Sequence, residues 1–276
     1  MNDQRPAPGE LCLDHVAHFL PDIGAAAAVL ESLGFAVTPL SAQQTQDGPA
    51  GTSNRCVMLS EGYLEFLTPT LDTPVAARMR VYMAKHVGVH LACFGTPSAE
   101  AEFARLAAHG FEPLPVVRLS RRLDDGQTAR FNVVRVPPER MPEGRVQFVE
   151  QLTPDVIWRE ADLAHDNGVI GLAAAFVVAY DPVAVAARYA EFSALLPRME
   201  DGFIRLASER GDIIIGTSEQ WAQRLGAAPA APALAGYALK CRDPAAFAQR
   251  CAAAGLKVNG NIVQLPPVLG GAWELR

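Results

Sequence analysis

Four segments of this chain share one grammar, and that repetition constrains the fold more than any other feature. Each segment begins with an apolar run of strand length, turns at Asp or Pro, enters an Ala-rich stretch and then breaks into shorter apolar runs. Module one opens on Leu11-Cys12-Leu13-Asp14-His15-Val16, turns at Pro21-Asp22 and reaches Gly34-Phe35. Module two opens on Val87-Gly88-Val89-His90-Leu91-Ala92, turns at Thr96-Pro97 and reaches Gly110-Phe111. Modules three and four start near Leu172 and Leu234, turn at Asp181-Pro182 and Asp243-Pro244, and carry helices over 183–196 and 245–255. Internal repeats of this kind mark a supersecondary unit that buries its apolar face only against a neighbour.

The turn chemistry explains the breaks. Proline near the first helical position loses no hydrogen bond, and a nearby Asp can cap the free N–H groups. Closing glycines suit a left-handed C-cap. The later strands are expected at 35–40, 54–60 and 63–67, then 114–119, 130–136 and 146–152, then 203–208 and 212–216, then 262–265 and 272–275. The expected fold class is α+β: four βαβββ modules paired into two domains with curved, cavity-forming mixed sheets. Residues 8–157 would hold modules one and two, and residues 168–276 modules three and four. The polar segment 158–168, ending in Asn167-Gly168, reads as a linker.

Charge and cysteine usage narrow the function. A net charge of −6 over 276 residues offers no polybasic face for nucleic acid. Five cysteines without paired spacing point to a reduced, cytoplasmic setting rather than a disulfide framework. Asp3, Pro6 and Pro8 argue against a signal peptide, and the apolar run 169–180 is short of the ~20 residues a bilayer needs. The expected partner is a small molecule, with no membrane and no nucleic acid; a homodimer is compatible with the sequence.

Two patterns carry candidate chemistry. His15 lies seven residues before Asp22, and His90 seven before Pro97. Glu65-Phe66-Leu67-Thr68-Pro69 is echoed by Glu150-Gln151-Leu152-Thr153-Pro154. Side chains alternate along a strand, so Glu65 shares a face with Tyr63 and Leu67, and Glu150 with Phe148. If the ionisable face is concave, two modules about a pseudo-twofold bring His15, Glu65, His90 and Glu150 together. Two imidazoles and two carboxylates suit one divalent metal, with Zn, Mn, Fe, Ni and Co all acceptable. A metal would also offset the high cost of a buried, unpaired carboxylate.

The order Leu13-Asp14-His15-Val16, Pro21-Asp22, Gly34-Phe35, Gly51-Thr52-Ser53-Asn54-Arg55 and Gly62-Tyr63-Leu64-Glu65 resembles the vicinal oxygen chelate superfamily, within it the glyoxalase-like domain group. The resemblance covers residues 11–155 and implies His15, His90 and Glu150 as a metal triad, with Glu65 a fourth ligand that can leave the metal and move a proton. Glu65 and Glu150 are then the catalytic carboxylates. The implied activity is that of a metal-dependent lyase or isomerase resembling glyoxalase I, on a small substrate that chelates through vicinal oxygens. An extradiol-type ring-cleaving dioxygenase and a non-catalytic, bleomycin-resistance-like binding protein are the alternatives. Asn54, Arg55, Tyr63, Arg130 and Phe148 are the expected substrate contacts.

Other residues read more plainly. Arg118, Arg121, Arg122, Arg130 and Arg135 form either a solvated sheet edge or a clamp for a carboxylate or phosphate. His18 should face away from His15, His86 should lie on the surface, His109 should end a helix, and His165 should sit in the linker. Seven residues before Asp181 and Asp243 stand Ala174 and Gly236, which cannot bind metal, and Glu274 has no histidine partner. The second half is therefore expected to be a degenerate structural domain.

Overall fold

The computed structural model describes residues 4–276; Asp3 lies outside the described residues. All four modules appear, each with the order strand, helix, three strands. Module one comprises β1 (Cys12–Phe19), α1 (Ile23–Ser32), β2 (Ser41–Thr45), β3 (Gly48–Met58) and β4 (Tyr63–Pro69). Module two comprises β5 (Val89–Gly95), α3 (Ala99–Ala108), β6 (Val117–Arg122), β7 (Thr128–Arg135) and β8 (Arg145–Gln151), with α2 (Pro74–Met83) between the modules. After α4 (Pro154–Ile157), module three comprises β9 (Val169–Val178), α5 (Pro182–Ser193), β10 (Pro197–Glu200), β11 (Phe203–Ala207) and β12 (Asp212–Gly216). Module four follows α6 (Ser218–Leu225) with β13 (Ala233–Cys241), α7 (Pro244–Ala253), β14 (Val258–Asn259), β15 (Ile262–Gln264) and β16 (Ala272–Leu275).

The helices begin where their caps allow. Asp22, Asp181 and Asp243 accept hydrogen bonds from the first-turn N–H groups of α1, α5 and α7. In module two the cap is Ser98, not Pro97. The segment expected as a strand at 35–40 is irregular, and β2 begins only at Ser41. Strands β10 and β14 were not expected; at four and two residues they are too short to show a periodic pattern.

Modules one and two form a closed eight-stranded barrel in the order β1-β4-β3-β2-β6-β7-β8-β5. The first strands, β1 and β5, pair antiparallel at one seam, and β2 pairs with β6 at the other. Modules three and four form an open eight-stranded sheet, β10-β11-β12-β9-β13-β16-β15-β14, joined through β9 and β13. Its short edge strands do not meet.

The concave face of the open sheet is packed. Trp221 of α6 is fully buried there, 4.5 Å from the Phe176 ring and 4.5 Å from that of Phe203. Its indole N–H donates to the Val177 carbonyl at 2.8 Å. Glu274 accepts from Arg224 of the same helix at 2.7 and 2.9 Å. Helix α2, inserted at the matching point of the first half, places Met79 and Tyr82 against Ala17, Phe19 and Leu67.

The convex faces of both sheets share one core. Phe192 of α5 stacks on Phe148 of β8 at 4.9 Å, while Phe35 meets Phe247 and Trp273 edge-on. Each such ring contributes about 1.5–3 kcal/mol on burial. Segment 158–168 is stitched to the barrel rather than loose. The Trp158 indole donates to Leu59 O, His165 bridges Ala36 N and Met58 O, and Asn167 donates to Leu33 O. Among the described residues no helix is long and apolar enough to cross a membrane.

Candidate functional site

The barrel lumen is a polar cavity. It holds about 550 Å³ of space, part of it open to solvent, between side chains that point inward from β1 to β8. His15, Asn54, Tyr63, Glu65, Arg121, Arg135, Arg145 and Gln147 line it, with Leu67, Leu91, Phe131, Val133 and Val149 as apolar wall.

His15 and Glu65 face each other on β1 and β4, with His15 Nε2 3.7 Å from Glu65 Oε2. The other imidazole nitrogen, Nδ1, is 2.6 Å from Asp14 Oδ1. Asp14 is fully buried and also accepts from Gln151 Nε2 at 3.1 and 3.2 Å. Tyr63 stacks on the imidazole at 4.3 Å. Burial opposes charge on His15, but Cys93 and the hydrogen-bonded Asp14 outweigh it, so the histidine titrates well above its ordinary value. Glu65 Oε1 accepts from Asn54 Nδ2 at 2.6 Å and Gln43 Nε2 at 3.3 Å, which leaves Oε2 facing His15. Arg121 closes the shell by donating to Asn54 Oδ1 at 3.4 Å. Burial drives the Tyr63 phenol well above its ordinary value, with Asp14 and Glu65 adding to the effect, so it stays protonated.

His90 and Glu150 are elsewhere, and the expected four-ligand set does not form. His15 pairs with Cys93 across the β1–β5 seam. His90 is three positions further along β5, about 10 Å away at strand spacing, and is the extra residue of a β-bulge between Leu91, opposite Ala17, and Val89, opposite His18. Its Nε2 is 2.9 Å from the His86 carbonyl, and its ring packs on Phe19 and His86. Glu150 points out of the barrel, where Oε2 accepts from Ala99 N at the start of α3 and from Asn132 Nδ2.

The cause is register. The two helix caps are Asp22 and Ser98, so His15 corresponds to Leu91, one residue beyond His90. Leu67 O accepts from Leu20 N, and Val149 O accepts from Thr96 N, so Glu65 corresponds to Gln147, three residues before Glu150. The three-residue offset is odd and turns Glu150 to the other face of the sheet, while His90 falls in the β-bulge between Leu91 and Val89. The repeated E-x-L-T-P motif misleads because Thr68-Pro69 ends a strand, whereas Pro154 starts α4.

A divalent metal is what the resemblance implies, and the donor set does not fit one. Among the described residues no three His, Cys, Asp or Glu side chains are grouped to hold a metal ion. The second-module positions hold Leu91 and Gln147, and Asp14 is engaged with His15 and Gln151.

Of the expected substrate contacts, Asn54 and Tyr63 line the lumen. Arg55 alternates outward and donates to Thr38 O. Arg130 is exposed on the outer face of β7, with its backbone tied to Thr153. Phe148 lies in the shared core between Phe94 and Phe192. Asp14, Gln43, Arg121, Arg135, Arg145 and Gln147 were not singled out as site residues, although Arg121 and Arg135 belong to the arginine group noted in sequence. The alternation Phe131-Val133-Arg135 and Arg145-Gln147-Val149 carried the signal, because each trio occupies one face.

The remaining histidines are structural. His18 faces away from the lumen, near Leu269 O and the Tyr237 hydroxyl, and burial lowers it to about 4. His86 is half-buried rather than on the surface, and His109 is the C-cap of α3.

Residues 13–193 match the glyoxalase-like domain family. The chain belongs to that family. The match runs past residue 157 through β9 and α5. A hypothetical protein from Staphylococcus aureus shares the fold at a TM-score of 0.64 and 12% identity, over 96% of this chain and 98% of its own. A mutant of 4-hydroxymandelate synthase from Streptomyces coelicolor does so at 0.58 and 18%, over 93% of this chain and 77% of its own. A xylose isomerase-like TIM barrel/4-hydroxyphenylpyruvate dioxygenase fusion protein does so at 0.54 and 13%, over 96% of this chain and 41% of its own. At these identities the likeness carries the fold of this glyoxalase-like protein, not its activity. No curated protein sequence matches the chain.

Proposed function

We propose that this glyoxalase-like protein catalyses proton transfer on a small carbonyl compound bound in the barrel, as a lyase or isomerase. The observation that carries the reading is the Glu65–His15 pair, 3.7 Å apart and open to the lumen. Glu65 Oε2 takes a proton from the carbon beside the carbonyl, and the C–H electron pair moves to the carbonyl oxygen. His15 Nε2–H stabilises that oxyanion, while Asp14 on Nδ1 keeps the imidazole protonated and oriented. Returning the proton to another carbon isomerises the substrate; losing a β-substituent gives a lyase.

General acid–base catalysis of this kind supplies about 10²–10⁴-fold. In D₂O, wild-type protein should exchange the α-proton of small ketones and aldehydes, followed by ¹H NMR. Glu65→Gln should remove at least about 100-fold of the exchange. Exchange that is indifferent to Glu65→Gln would overturn the reading.

A metal-dependent reading, lyase or ring-cleaving dioxygenase, is favoured by the dioxygenase named among the structural neighbours. It needs a third protein donor beside His15 and Glu65, and the matching position offers the Gln147 amide. Metal analysis of the purified protein, with oxygen uptake measured alongside, separates the two readings. Five buried thiols outside any disulfide fit a reducing compartment, and on that ground we place the protein in the cytoplasm.

A further inference from the structure

Two guanidinium groups stand in the lumen outside any ion pair among the described residues. Arg135 on β7 and Arg145 on β8 both line the cavity. Arg135 Nε donates to Gln147 Oε1 at 3.1 Å, and Arg145 lies over the Phe19 ring, 5.0 Å from its centroid. Neither enters an ion pair among the described residues, whereas Arg80, Arg140, Arg159 and Arg205 each do. Glu65 is the carboxylate that lines the same lumen, and its oxygens are committed to Asn54, Gln43 and His15. Burial, then repulsion from Arg145, lowers Arg135 to about 9, and burial lowers Arg145 as well. Half-buried like charges are costly unless something neutralises them.

The strand register sets the pair against the proposed dyad. Arg135 pairs with Gln147, Gln147 with Cys93, and Cys93 with His15. Arg145 pairs with Leu91, Leu91 with Ala17, and Ala17 with Glu65. Each arginine is therefore three strands from a member of the dyad. That is about 14 Å along the wall at ~4.8 Å per strand, and less across the lumen. Leu67, Leu91, Val133 and Val149 line the cavity with them. A second cleft, lined by Arg78 and Tyr82 of α2, shares Arg135 and Arg145 with the lumen and gives them a second approach.

We infer that Arg135 and Arg145 form an anchor for the anionic end of the substrate, a carboxylate or a phosphate monoester, on a short apolar body whose reactive carbon lies at Glu65 and His15. The inference rests on the lumen being the substrate site. A planar guanidinium matches either oxyanion with paired N–H donors, which Lys does not reproduce.

Calorimetric titration of the full-length protein tests it with benzoate, phenyl phosphate and neutral benzamide. At least one anion should bind tenfold or more tightly than benzamide, and the better of the two identifies the head group. Arg135→Met and Arg145→Met should each weaken that anion about tenfold to a hundredfold. Arg135→Gln and Arg145→Lys serve where a Met variant melts early. Anions that bind no better than benzamide, or that bind the arginine variants as they bind wild type, would overturn the anchor. Glu65→Gln separates this result from the proton-transfer reading, because it should cut α-proton exchange at least about 100-fold while anion binding persists no weaker than in wild type, the lumen having lost a negative charge. Anion binding lost in the arginine variants, with exchange indifferent to Glu65→Gln, would uphold the anchor and remove the proton-transfer reading alone.

Discussion

Asp14→Asn is the sharpest probe of how the site is tuned. Asp14 is fully buried, 2.6 Å from His15 Nδ1 and held on its other side by Gln151. Asn keeps the shape and removes the charge. A hydrogen bond to a charged group contributes about 1.5–3 kcal/mol, and a neutral one about 0.5–1.5. The substitution therefore costs about 1–2 kcal/mol at this contact, or roughly 5–30-fold in a proton-transfer rate that depends on charged His15. Because Asp14 helps raise His15, its loss should lower the histidine's titration, read by NMR of the labelled imidazole. The sign on stability follows. A raised folded-state pKa stabilises fully below the unfolded value near 6.5, and that contribution fades as pH rises through the folded value. The stability gap between wild type and Asp14→Asn should therefore be largest in mild acid and shrink at alkaline pH. A His15 titration unchanged in Asp14→Asn would refute the argument that Asp14 holds the imidazole charged.

Three further outcomes are expected. Trp221→Ala empties the concave face of the open sheet and should destabilise the protein by about 3–5 kcal/mol in urea unfolding; a loss under 1 kcal/mol would mean the helix repacks. His18 is buried and titrates at about 4, below its unfolded value, so the unfolded chain takes the proton first as pH falls. Stability should thus drop by about 3 kcal/mol between pH 6.5 and 4 from this group, and a His18→Gln variant should show a flatter slope. Adding a chelator should leave α-proton exchange unchanged if the Glu65–His15 pair acts without metal; its abolition, with restoration by added Zn or Mn, would favour the metal-dependent reading.

The architecture was legible because it rests on local chemistry repeated four times. Capping Asp, N-terminal Pro and closing Gly act within one turn, so Asp22, Asp181 and Asp243 announce their helices without help from the rest of the chain. Residues on one strand were legible too, since alternation alone puts Tyr63, Glu65 and Leu67 on one face. What joins strands was not. The side on which a residue falls depends on register across a seam, and here a cap at Ser98 rather than Pro97 moves the His15 counterpart from His90 to Leu91. The three-residue displacement of Glu150 from Gln147 does the same on β8. Local patterns therefore determined the four leading strands and their helices, the module order and the shared face of Tyr63, Glu65 and Leu67, but not β10, β14 or the inserted helices α2 and α6. Only the closed barrel decided that Arg135, Arg145 and Gln147 complete the cavity and that Gln151 holds Asp14 behind His15, because backbone pairing across strands, not spacing along them, chooses which side chains share a lumen.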